Sequence, residues 1–141
     1  MTIAIQIATA VVWLWLGMVL AISFLEAPLK FRTPGLDLRI GLAIGRIVFR
    51  ALNTSECIWV AVLATCLFID RPSVVIVSLS IAAAVILLVQ IGVVRPQLTR
   101  RSNLVLAGED APRSSSHHWY ILLEVTKVAV LVPLGAVMLS T

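Results

Sequence analysis

Charge is what this sequence has least of. Only 13% of its 141 residues are Asp, Glu, Lys or Arg, against 60% hydrophobic, and mean hydropathy is +1.06. A soluble domain carries nearer a quarter charged residues, so a water-facing globular fold is excluded. Cysteine is also scarce. Cys57 and Cys66 lie in one apolar run, about 13 Å apart on a helix rising ~1.5 Å per residue, too far to pair with each other. They lack metal-ligand spacing as well, and read as small apolar packing residues. There is no P-loop, dinucleotide fingerprint or nucleophile triad, and no E-x-x-H or H-x-x-H pair of the helical metal sites. The N-terminal apolar run has no basic lead-in and no A-x-A site, so it reads as a retained span rather than a secretory signal.

What is abundant is apolar length. Crossing the ~30 Å hydrocarbon layer takes about 20 apolar residues, and the chain supplies four such stretches, at about 3–25, 51–69, 73–94 and 118–139. The expected fold is all-α, an integral membrane four-helix bundle forming a single transmembrane domain over 1–141. Pro72 suits a helix start and Pro96 a stop. Two connections remain, 26–50 and 95–117. The first opens with Pro28, Pro34 and Gly35 and then carries Arg39, Arg46, Arg50 and Asn53 at intervals of seven, four and three. At 100° per residue these fall within about 60° of one another, which predicts an amphipathic helix leading into the second span. The stretch 96–116, with Pro, Gly and a serine run, reads as a loop, in part disordered.

The net charge of +4 does not point to nucleic acid, because the basic residues flank the spans. Lys30, Arg32, Arg39, Arg46, Arg50, Arg95, Arg100, Arg101 and Arg113 lie in the two connections, against Arg71 alone on the other side. The positive-inside rule makes those connections cytoplasmic and both termini non-cytoplasmic, in a bacterial inner membrane. The lipid bilayer is the one partner this implies outright.

Four antiparallel spans bring their polar ends to one face. Glu26 closes the first span, Asn53 and Glu56 open the second, Gln90 and Arg95 close the third, and His117, His118, Tyr120, Glu124 and Lys127 open the fourth. His117, Tyr120, Glu124 and Lys127 cover a helix face about 80° wide, which must look inward because charges in a bilayer need partners. Glu26, Arg46, Arg50, Asn53, Glu56, Gln90, His117, Tyr120, Glu124 and Lys127 are therefore the candidate lining of a polar pocket near the cytoplasmic face. Three chemistries fit. Glu26, Glu56, His117 and Glu124 could hold a cation, although their spacing is not that of a known metal motif; carboxylates and His could move protons; and the arginines with Asn53 could hold a small anionic ligand. The residues name no cofactor. They leave open a membrane enzyme, a carrier, a homo-oligomer, and a non-catalytic accessory subunit whose polar groups only lock helices together.

Glu26-Ala27-Pro28-Leu29-Lys30-Phe31, Pro34-Gly35, Gly45-Arg46 and Ala51-Leu52-Asn53 with Glu56 resemble a group of small bacterial four-span membrane proteins without an assigned activity. Separately, Arg50, Asn53 and Glu56 form R-x-x-N-x-x-E ahead of the second span, which is similar to the MAPEG family of four-span, trimeric, glutathione-dependent membrane enzymes. That resemblance implies glutathione binding by Arg50, Asn53 and Glu56. The further arginine and tyrosine motifs of that family are not found around the third and fourth spans.

Overall fold

A computed structural model describes residues 1–108 and 116–141, except the side chains of Ser116 and His117. The described residues form helices and no strand. Four helices are long and apolar enough to cross a membrane: α1 (Ile3–Lys30), α2 (Leu38–Asp70), α3 (Val74–Leu106) and α4, which begins at Ser116 and whose apolar part is His118–Leu139. The protein is an all-α, polytopic membrane four-helix bundle.

The helices run further than the apolar stretches alone suggest. Pro28 and Pro96 do not stop α1 and α3. Proline lacks an N–H and its ring clashes with the carbonyl four residues back. In each helix the turns leading up to the proline, Leu20–Glu26 in α1 and Gln90–Val94 in α3, are π-helical. The wider π turn changes the hydrogen-bonding partner, and α-helix resumes over Ala27–Lys30 and Arg95–Leu106. The amphipathic stretch before the second span is likewise continuous with it, a single 33-residue helix whose Arg39 N–H donates to the capping Asp37 side chain. The irregular connection at this end shrinks to residues 31–37, where Gly35 takes φ +80°, a backbone only glycine adopts freely. Residues 109–115 of the expected loop, Arg113 among them, lie outside the described residues.

Thr2 ties the two outer ends together. Its hydroxyl accepts the Ile5 N–H at the start of α1 and donates to Asp70 Oδ2 at the end of α2. Helix α1 packs along α2 on one side and α4 on the other, and α3 packs along α4. Contact between α2 and α3 is slight along the spans and resumes where Arg95–Leu106 returns to α2. The core between the helices is apolar toward the terminal end, with Ala8, Val12, Trp15, Leu63, Ile76, Ala83, Leu131, Leu134 and Met138 all buried. The outer faces are apolar too: Phe68 is 76% and Leu88 67% exposed. A helix hydrophobic all round needs lipid, not water, against its outer face.

Candidate functional site

Four polar side chains sink into the bundle at one level. Counting ~1.5 Å per residue from the terminal end puts Trp15 and Lys127 about 18 Å in, Glu56 about 21 Å, Glu124 about 22 Å and Gln90 about 24 Å. In a ~30 Å layer they occupy the half nearer the basic end. Glu56, Gln90, Glu124 and Lys127 are at most 1% exposed.

Lys127 stands between two carboxylates. Its ammonium lies 2.5 Å from Glu56 Oε2 on α2 and 2.7 Å from Glu124 Oε1, one turn back on α4. Each of those oxygens accepts a second bond. The Trp15 indole N–H of α1 donates to Glu56 Oε2 at 2.8 Å, and the Gln90 amide of α3 donates to Glu124 Oε1 at 2.7 Å. One network thus joins all four helices. The opposite oxygens, Glu56 Oε1 and Glu124 Oε2, are buried without a hydrogen-bond partner, as is Gln90 Oε1. Three acceptors stand open where one ammonium N–H and one Gln90 amide N–H remain undistributed, because Lys127 carries three donors and uses two, and the Gln90 amide carries two and uses one. The cluster is short of protons. It is also unbalanced in charge: two ionised carboxylates and one ammonium sum to −1 in a region where an unpaired ion is expensive.

Tyr120 lies one turn from Glu124 toward the basic end. It is buried, its ring meets Phe49 edge-on at 5.7 Å, and its hydroxyl makes no full hydrogen bond although the Arg95 guanidinium is close enough to act on it. Arg95 in turn stacks over Phe49 at 5.6 Å and reaches the Arg46 carbonyl at 3.4 Å. Tyr120, Phe49 and Arg95 form a layer between the buried cluster and the basic end.

The other candidate residues are elsewhere. Glu26 pairs with Lys30 on its own helix at 3.7 Å, about 16 Å along α1 from Trp15. Asn53 is half-buried with its Oδ1 unpartnered, one turn from Glu56. Arg46 and Arg50 line an open groove between α2 and the end of α3. His117 has no described side chain. Among the described residues no three His, Cys, Asp or Glu side chains converge as metal ligands; between Glu56 and Glu124 the place a cation would take is held by the Lys127 ammonium. Trp15 was not among the candidates, since a tryptophan in an apolar run reads as core. Its depth is the signal: Trp15 and Lys127 each stand twelve residues from the terminal ends of their helices, Ile3 and Leu139.

Comparison with family models, with curated proteins and with solved structures gives no match.

Proposed function

We propose that this protein binds a proton at the Glu56–Lys127–Glu124 triad and exchanges it from its basic end, which by the positive-inside rule is the cytoplasmic face of a bacterial inner membrane. The observation that carries this reading is the donor deficit: Glu56 Oε1, Glu124 Oε2 and Gln90 Oε1 are all buried and open. Each buried acceptor left open costs about 1–3 kcal/mol. One added carboxyl proton turns an open acceptor into a donor and brings the triad to neutrality. Because the two acids share one ammonium, that proton belongs to the triad and not to either residue. The layer of Tyr120 and Arg95 lies on the route to the basic end, whereas the terminal half of the core is closed by Val12, Leu63, Leu131 and Leu134. Polar groups toward the basic end and apolar ones toward the other suit a carrier or membrane enzyme that loads a proton from the cytoplasm.

Potentiometric titration of the purified protein in detergent tests this. Wild type should exchange about one proton more than Glu124→Gln while far-UV circular dichroism stays unchanged. Identical titration curves would overturn the reading.

A second reading is favoured by the linkage of all four helices through fully buried groups: the triad locks the bundle of an accessory subunit. It expects unfolding or lost assembly, and no reversible titration, when the triad is altered. Glutathione binding by Arg50, Asn53 and Glu56 requires Glu56 to face a ligand. Thermal stabilisation by glutathione that is lost in Arg50→Ala would support it over both other readings.

A further inference from the structure

The groove at the basic end is chemically unlike the triad. Its volume is about 240 Å³ and its lining is Ala43, Arg46, Ile47, Arg50 and Leu106. One wall is apolar and the other carries guanidinium groups from successive turns of α2. Arg39 secures the far end, its guanidinium donating to the Leu106 carbonyl at 2.6 Å, which holds the C-terminus of α3 against α2. Arg39 is thereby used. Arg46 and Arg50 are not: among the described residues the ion pairs are those of Lys30 and Lys127, and neither arginine has a carboxylate partner. Both lie near enough to Arg95 to repel it. Three cations in mutual reach, none of them ion-paired to a carboxylate among the described residues, favour an incoming anion.

Depth identifies its kind. Arg50 is about 30 Å and Arg46 about 36 Å along α2 from Asp70, which is the inner edge of a ~30 Å hydrocarbon layer and the headgroup zone beyond it. Ile47, between them and so at headgroup level, is 73% exposed. A ligand seated here meets guanidinium forks at phosphate level and an aliphatic wall beside them. Slight packing between α2 and α3 along the spans leaves the seam open toward the bilayer.

We propose that this groove is a binding site for an anionic phospholipid of the inner leaflet, with the headgroup phosphate held between Arg46 and Arg50, Arg95 adding charge from behind, and an acyl chain running from there into the seam between α2 and α3. Basic clefts between membrane helices on the cytoplasmic side suit phosphate headgroups, and arginine binds phosphate through two parallel N–H donors. The site stands on observations separate from the triad and survives or fails independently of it.

The test is native mass spectrometry of the full chain in non-ionic detergent, titrated with phosphatidylglycerol, chain-matched phosphatidylcholine or inorganic phosphate. Phosphatidylglycerol should be retained in preference to phosphatidylcholine. The preference should fall about fivefold for each of R46Q and R50Q, remain in R71Q at the opposite end, and recover in part in R46K/R50K, which keeps charge without the fork. Helicity by circular dichroism reports folding, and the single variants serve if a double variant loses its fold. Equal retention of the two lipids, or a preference unchanged in R46Q and R50Q, would overturn the proposal. Binding of inorganic phosphate that displaces the lipid at equal concentration would overturn the lipid as occupant and assign the groove to free phosphate.

Discussion

Trp15 and Lys127 end on the same atom. The indole N–H of α1 and the ammonium of α4 both reach Glu56 Oε2, so one carboxylate oxygen of α2 fixes the mutual positions of three helices. An indole cannot change its protonation, and it holds Glu56 whether or not a proton arrives. Lys127 is shared, and Glu124 is its second claimant.

That sharing sets the order of variant stabilities. Lys127→Met leaves two buried carboxylates without their cation and should cost about 3–5 kcal/mol, the usual penalty for removing one partner of a buried pair. Glu124→Gln keeps an acceptor for the Gln90 amide and leaves a single balanced pair, so its stability should lie within about 1 kcal/mol of wild type or above it. Glu56→Gln with Glu124→Gln strands the ammonium and should cost as much as Lys127→Met. Unfolding in detergent with increasing denaturant measures all three.

Trp15→Phe keeps most of the ring and removes the donor. A hydrogen bond to a charged group contributes about 1.5–3 kcal/mol, and a loss of that size is expected. Trp59→Phe is the control: its indole faces the Met18 sulfur at 3.3 Å, a weak acceptor, and the change should cost under about 1 kcal/mol. Equal effects for the two would deny Trp15 its role in the cluster.

Gly135 marks the close approach of α4 to α1. A methyl placed there would stand 2.7 Å from the Trp13 ring, so Gly135→Ala should destabilise by about 1–3 kcal/mol through overpacking. Trp13→Leu should recover much of the loss, and a double-mutant cycle would read the coupling directly.

Orientation is open to labelling. With Cys57 and Cys66 replaced by serine, a cysteine at Thr141 should react with an impermeant thiol reagent on intact cells and one at Gly108 should not. The reverse pattern would invert the topology.

Much of the fold was legible because lipid imposes length. Apolar runs near 20 residues give the number of spans, and the offsets of Tyr120, Glu124 and Lys127 identify the inward face of α4, where all three are buried. Proline was misleading. Pro28 and Pro96 read as breaks, yet the π turns before them let α1 and α3 continue to Lys30 and Leu106. The candidate site was legible in membership more than in arrangement. Glu56, Gln90, Glu124 and Lys127 meet because they share a depth. Glu26, Arg46 and Arg50 lie toward the same end, but one to several helical turns further along. Periodicity reports the face of a helix and not its axial level, so one expected pocket resolves into a buried triad, a Glu26–Lys30 pair and an arginine groove. The open oxygens of Glu56, Gln90 and Glu124 follow from side-chain geometry, for which sequence spacing carries no signal.

The most direct measurement is infrared difference spectroscopy of the protein in lipid, scanned from neutral to alkaline pH in light and heavy water. A triad holding one extra proton gives a protonated carboxyl C=O band at neutral pH that shifts in heavy water, fades as the pH rises, and is lost in Glu124→Gln with Glu56→Gln. Two permanently ionised carboxylates, with no such band at any pH at which the helices remain folded, would contradict the account.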